Sequence, residues 1–318
     1  MNVLLTGGAG FIGSILARSL LDEGHMVRIM DNITYGLDPI RSINLNPNLE
    51  LMHGDIRTPT DVNKALEGVD SVIHLAAIVG DPACAVQADK AIEINYLSTL
   101  RIAKTAKDKG IGKFIFASTC SVYGASNDVL SENSELEPKS LYAETKMLAE
   151  KGILDIAGEN FQPKILRLGT LYGLSYRPRF DLVINYLTGK IINENKALIF
   201  GGEQWRPFLH VEDAVGAFLF TLKNYDKMAE DTFNVGANDQ NYQMSDIGKI
   251  FQDIFPKSDI QKVDKIKDPR SYRVNFNRIE TYGFLLKKEI KPTIIELRDW
   301  IIKNEIDLTS PEYYNYHP

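Results

Sequence analysis

The chain has 318 residues, of which 44% are hydrophobic and 25% charged, with a formal net charge of −6. That length and apolar content fill one large core or two smaller ones, and the acidic balance excludes the basic footprint of a nucleic-acid surface. Two cysteines, Cys84 and Cys120, make no disulfide framework and fit a reducing compartment; no apolar run spans a bilayer and no basic n-region opens the sequence, so neither membrane segment nor signal peptide is expected, and the cytoplasm is the expected location.

Residues 3–5 form a short apolar run, followed by Gly7, Gly10 and Gly13 at three-residue spacing, with Phe11 and Ile12 inside the turn. Residues 11–23 then show helical periodicity. Strand, glycine turn and helix start together predict a dinucleotide pyrophosphate site. Glycine turns the chain tightly, lets backbone approach a phosphate, and lets helix and strand pack without a Cβ between them. The helix N-terminus adds free N–H groups and a positive dipole end. The alternative is a plain glycine-rich turn.

A second strand, residues 27–30, ends at Asp31, about twenty residues past the turn. An acid there accepts hydrogen bonds from both adenosine ribose hydroxyls and repels a 2′-phosphate, which favours NAD over NADP. Asn32 follows it on the cofactor side. Further strands are predicted over 49–52, 71–75, 113–117 and 164–168, and helices over 60–67, 88–109 and 140–157. Thr60, after Pro59, is placed to cap one helix and Ser140 another. Strands alternating with such helices imply an α/β protein with a doubly wound parallel sheet and right-handed crossovers. Asp55 and Ile56, after the third strand, are placed to flank adenine. Leu75, Ala76 and Ala77 end the fourth at the carboxyl edge, where the nicotinamide half should run. His74 beside them reads as a packed or turn-stabilising residue.

After residue 168 the alternation loosens. Residues 174–180 read as a loop with two arginines, 181–190 as a helix, 197–200 as a strand, and 211–223 as a helix. Residues 245–255, capped by Ser245, and 293–304 read as helices. The tail 310–318 reads as a surface extension. A smaller, mixed α/β substrate domain over 171–318 is expected beside a nucleotide-binding domain over 1–170, which takes back a segment near 205–225.

Tyr142 and Lys146 stand one helical turn apart in SLYAETK, on one face. A free tyrosine has a pKa of about 10 and is a poor base near neutral pH. A neighbouring ammonium, with the positive charge of oxidised nicotinamide, favours the phenolate. The lysine is also placed to hold the nicotinamide ribose. Thr119, after the fifth strand, offers a hydroxyl to orient a substrate alcohol. Together these groups abstract a proton from an alcohol as hydride leaves.

GGAGFIG, Asp31, HLAA, ASTCSVYG and YAETK resemble the extended short-chain dehydrogenase/reductases, specifically the NAD-dependent epimerase/dehydratase group acting on nucleotide sugars. The resemblance covers almost the whole chain. It implies a Rossmann-like domain, NAD that stays bound, a nucleotide-diphosphate sugar as substrate, and a homodimer built on the 88–109 and 140–157 helices. It makes Asn95 a structural residue and assigns Arg206, in GGEQWRPFLHVEDA, and Arg270, in DPRSY, to the diphosphate. Arginine suits that task because its planar fork bonds phosphate oxygens in pairs; the alternative for both is surface charge pairing.

The departures narrow the activity. Dehydratases of this family carry an Asp-Glu pair where this chain has Cys120 and Ser121, so dehydration lacks an obvious acid/base agent. Cys120 is either a substrate-side acid/base or a buried small hydrophobe. Thr170 stands where many 4-epimerases place an asparagine that touches the substrate. The stretch around Arg177 and Arg179 also resembles a subgroup containing GDP-manno-heptose carbon-4 dehydrogenases; Arg179 is taken as substrate-binding, with solvation as the alternative. The expected activity is 4-epimerisation through a transient 4-keto sugar, with a carbon-4 dehydrogenase as the alternative and, further off, a dehydratase or a non-catalytic NAD-binding protein.

Overall fold

A computed structural model describes residues 1–263 and 268–315. A seven-stranded sheet is its centre. Its strands are β1 (Asn2–Thr6), β2 (Met26–Asp31), β3 (Leu49–His53), β4 (Ser71–His74), β5 (Lys113–Thr119), β7 (Lys164–Leu168) and β11 (Thr232–Val235). The order is β11-β7-β5-β4-β1-β2-β3, and every pairing is parallel. Such strands are buried on both faces, so they read as continuous apolar runs such as Val3-Leu4-Leu5.

Helices cover both faces. α1 (Gly13–Asp22) and α8 (Val211–Asn224) pack with Leu5, Ile29, Ile115 and Leu166 on one side. α2 (Pro59–Ala65), α5 (Thr99–Asp108) and α6 (Leu141–Asp155) enclose Leu4, Val72, Phe114 and Phe116 on the other. The short helices α3 (Asp81–Val86) and α4 (Ala88–Ala91) follow β4. The remaining strands form small sheets: β6 (Ala125–Leu130) with β14 (Ser271–Val274), β9 (Lys196–Phe200) with β13 (Asp259–Val263), and β10 (Trp205–His210) between β8 (Thr170–Tyr172) and β12 (Asn241–Gln243). α7 (Val183–Glu194), α9 (Met244–Ile254) and α11 (Ile290–Lys303) surround a separate apolar cluster with Phe208 and Ile199, while α10 (Asn277–Thr281) lies by β11. Among the described residues no helix is long and apolar enough to cross a membrane.

Several local expectations give way. β11 was not anticipated: it is four residues long and wholly buried, so no alternation marks it. The single helix expected over 88–109 is broken by a π-helical stretch, Ile92–Ser98. That stretch carries Asn95, whose amide closes both polar groups of the Ile78 backbone, accepting from its N–H at 2.8 Å and donating to its C=O at 2.9 Å. Pro59, not Thr60, opens α2, because proline lacks the N–H that a first-turn position leaves unpaired. Ser245 lies inside α9, which starts at Met244, and caps nothing. Ser140 does cap α6, accepting from Ala143 N at 3.3 Å. The tail is not a surface extension as far as Asn315: Tyr313 accepts from Phe180 N at 2.9 Å, and Asn315 donates to Val79 O at 3.0 Å. Residues 316–318 lie outside the described residues.

Candidate active site

The carboxyl ends of the sheet strands open into one cleft of about 870 Å³, as a doubly wound sheet requires where its strand order reverses. Gly7, Gly10, Phe11, Ile12 and Gly13 line it from the β1–α1 turn. A Cβ on Gly7 (φ +71°) would lie 2.8 Å from Ala76 N, and one on Gly13 would lie 2.7 Å from Gly8 Cα. Only glycine lets the turn close against both the β4 loop and itself. α1 starts at Gly13, with no side-chain cap from Ile12; Ser14 N and Ile15 N are bonded to Gly10 O and Ile12 O, and the positive end of the helix lines the cleft at Ile12 and Gly13.

Asp31 ends β2 and lines the same cleft, beside Asn32. Its Oδ2 accepts from Ala9 N at 3.0 Å and its Oδ1 from Ile33 N at 2.8 Å. Burial pushes its pKa up, against those two bonds, and each oxygen keeps a lone pair for a ribose hydroxyl. Asp55, Ile56, Leu75, Ala76 and Ala77 complete this half. Asp55 is held by a bidentate bond from Arg57, whose guanidinium draws its pKa down. These residues fit a dinucleotide: a glycine cradle, an uncapped helix start and an acid at the ribose position.

His74 is sealed behind the cleft. Its Nδ1 lies 2.7 Å from Thr6 Oγ1 and its Nε2 2.9 Å from Thr99 Oγ1. Burial holds its pKa down to about 3, with the Lys146 charge adding, so it is a neutral packing residue.

Thr119, Tyr142 and Lys146 line the opposite half. Thr119 ends β5, and its Oγ1 accepts from Ser121 N at 3.1 Å, leaving its proton free to donate. Lys146 is 3% exposed and donates to Ala117 O at 2.9 Å. Burial lowers its pKa to about 8, while Cys84 and Glu150 oppose. Burial pushes the Tyr142 phenol well up, with Arg179 the opposing cation. The expectation that Lys146 draws the phenol down is therefore not met by the chain alone, because burial raises it and the cation that opposes burial is Arg179.

A buried network supports this half. Glu150, two turns beyond Tyr142, takes Arg167 through Nε at 3.0 Å and Nη2 at 2.7 Å, and also accepts from Ser118 Oγ. Arg167 Nη1 donates to Tyr123 OH at 2.9 Å. The loop carrying Thr119 is thus tied on both sides to the helix carrying Tyr142. Tyr and Lys at i and i+4 already mark the face on which Glu150 falls at i+8, so this residue was findable from spacing.

Thr170, Arg179, Arg206 and Arg270 also line the cleft. Arg179 pairs with Asp181 at 2.7 Å. Arg206 and Arg270 share Asp268, each at 2.7 Å, and Arg270 also reaches Asp81 across the cleft. The alternative of surface pairing does not describe Arg206, which is 7% exposed. Tyr272, from the same stretch as Arg270, places its hydroxyl 3.1 Å from Ser121 Oγ. Neither Asp81, Asp268 nor Tyr272 carried a local sequence signal.

Cys120 is the exception among the expected site residues. It does not line the cleft; its Sγ donates to Arg167 O at 3.2 Å. It is 1% exposed and burial pushes its thiol up, so it is a small buried hydrophobe rather than a substrate contact.

A model of the "NAD dependent epimerase/dehydratase family" matches residues 3–236. The chain is 28% identical over 304 residues to a UDP-N-acetyl-alpha-D-glucosaminuronate decarboxylase of Bacillus cytotoxicus, covering 93% of this chain and 90% of that one. It is 28% identical over 313 residues to a putative UDP-glucose 4-epimerase of Methanocaldococcus jannaschii, covering 95% and 99%. The UDP-glucuronic acid 4-epimerase of Bacillus cereus, solved in complex with UDP-glucuronic acid and NAD, superposes with a TM-score of 0.83 at 26% identity, over 96% of this chain and all of that one (100%). With the glycine cradle, the ribose acid and the Thr-Tyr-Lys set in one cleft, the chain belongs to the NAD-dependent epimerase/dehydratase family.

Proposed function

We propose that the protein is an NAD-dependent nucleotide-sugar epimerase acting at carbon 4 through a transient 4-keto sugar. The observation that carries this reading is the convergence of Thr119, Tyr142 and Lys146 on a cleft that also holds Arg206 and Arg270. Bound NAD supplies an acceptor for hydride that also gives it back. Tyr142 takes the proton of the reacting hydroxyl and returns it from the same oxygen. Thr119 Oγ1, fixed by Ser121 N, donates to the sugar oxygen. Lys146 keeps positive charge beside both and holds the ribose. Arg206 and Arg270 take the diphosphate, held in plane by Asp268, and Arg179 and Thr170 face the sugar. The UDP-sugar bound by the Bacillus cereus epimerase supports this class of substrate.

Elimination of water needs a positioned acid and base, and the family's dehydratases carry an Asp-Glu pair where this chain has Cys120 and Ser121. Cys120 turns away from the cleft and Ser121 is a neutral hydroxyl bonded to Tyr272, which favours epimerisation over dehydration. The test is a panel of UDP- and GDP-sugars, read for interconverted products and for absorbance of reduced cofactor. Epimer formation without net reduction is expected. Reduced cofactor rising in step with a keto product would assign a carbon-4 dehydrogenase instead.

We also propose a homodimer through the 88–109 and 140–157 segments, where Ile92 (40%) and Leu97 (48%) are exposed. Sedimentation at micromolar concentration should give a dimer; a monomer there would contradict it.

A further inference from the structure

The other arginines around this cleft come with acids. Arg167 has Glu150, Arg179 has Asp181, and Arg206 and Arg270 share Asp268. Arg177 breaks the pattern. It is 4% exposed and lines the same cleft, yet among the described residues its guanidinium forms no ion pair. Its Nη1 donates to Asn315 Oδ1 at 2.6 Å and its Nη2 to Tyr314 O at 3.3 Å. Its plane stacks 3.7 Å from the centre of the Tyr35 ring. Its Nε, fully buried, has no hydrogen-bond partner. Burial lowers its pKa to about 10 and Arg179 pushes the same way, while Tyr35 and the charge of Asp181, which is itself bonded to Arg179, oppose. A buried cation whose direct hydrogen-bond partners are neutral is costly, and an anionic ligand lowers that cost.

The surroundings say which anion. Ser175 Oγ donates to Phe11 O at 2.5 Å and lies 3.1 Å from Ser14 Oγ, so the loop bearing Arg177 rests on the glycine turn. Tyr35 comes from the loop after β2. Asn315, which grips Arg177, reaches Val79 O in the loop after β4 at 3.0 Å. Arg177 is therefore held between the two loops that flank the turn. Beneath it, α1 starts without a side-chain cap. The positive end of α1 and the Arg177 guanidinium line the same cleft.

We propose that Arg177, held by Tyr314 and Asn315, is the counter-cation for the pyrophosphate of the bound dinucleotide. The C-terminal segment thereby controls how long the cofactor stays. This assignment rests on the NAD requirement of the family and not on the identity of the sugar.

The test measures NAD retained through gel filtration of the holoprotein and its dissociation rate on dilution, with UDP affinity measured in parallel. Arg177→Gln should release NAD at least tenfold faster and leave UDP affinity within twofold. Arg177→Lys, which keeps the charge, should fall between that variant and the parent. Asn315→Ala removes only the grip on the guanidinium and should also speed release; it carries the test if Arg177→Gln does not fold. Unchanged NAD release from a folded Arg177→Gln protein would overturn the assignment. So would a tenfold loss of UDP affinity with NAD retention intact, since that would give Arg177 to the substrate.

Discussion

At Tyr142 two forces oppose each other. Burial pushes the phenol up, and the cation that opposes it is Arg179. For the proposed role as a proton acceptor, the phenol would need the added positive charge of bound oxidised nicotinamide. Tyr142→Phe keeps the ring and removes only the hydroxyl. Turnover should fall by about 10²–10⁴-fold, the usual weight of a positioned acid–base group, while NAD remains bound. Undiminished turnover would remove Tyr142 from the chemistry. Cys120 makes the opposite case. Because its thiol faces Arg167 O and not the cleft, Cys120→Ala should leave kcat within twofold and lower stability by about 1 kcal/mol, a common single-substitution cost. A hundredfold drop in kcat would show that the thiol takes part.

On the scale of elements, α6 and the β5 loop act as one unit. Tyr142, Lys146 and Glu150 share a face of α6, and Glu150 bonds both Ser118 and Arg167. Glu150→Gln leaves the Arg167 charge buried without its counter-ion. It should cost about 3–5 kcal/mol, read as a lower midpoint in urea with the slope unchanged; a change under 1 kcal/mol would mean that water reaches the pair. The parts of the site that follow from local spacing are legible in the sequence: the glycine turn, Asp31, Thr119, and the tyrosine one turn before its lysine. Six of the seven sheet strands are legible too, as short apolar runs; β11 is the exception. What escaped has no local signature. β11 is too short to show a period, and the π-helical Ile92–Ser98 differs from an α-helix by hydrogen-bond register rather than composition. Asp268 and Asp81 meet their arginines only across the cleft, and Asn315 finds Val79 only through the fold. Residue type points to Thr60 and Ser245 as caps, but Pro59 and the extended Gln243 set the helix starts.

Across the whole molecule, buried histidines set an acid limit. His74 is held down to about 3 and His210 to about 4, both mainly by burial. The unfolded chain takes protons on these rings near 6.5, whereas the folded chain refuses them until far lower. The unfolded state then binds more protons, so stability is full above about pH 6.5 and is lost as pH falls towards 4. The slope approaches about 1.4 kcal/mol per pH unit for each ring. His74→Asn should flatten the urea-midpoint profile between pH 6.5 and 4.5, and an unchanged slope would place the acid sensitivity elsewhere. The same scale decides the activity, because cradle, base and arginines come from distant parts of one chain yet face one cleft. The central claim is that hydride leaves carbon 4 and returns to it. The most direct test is turnover of a UDP-sugar carrying deuterium at carbon 4, with mass and NMR analysis of the product. Deuterium retained at carbon 4 of the epimer, with no net reduced cofactor, is the predicted result; deuterium lost from the sugar into accumulating reduced cofactor would contradict it.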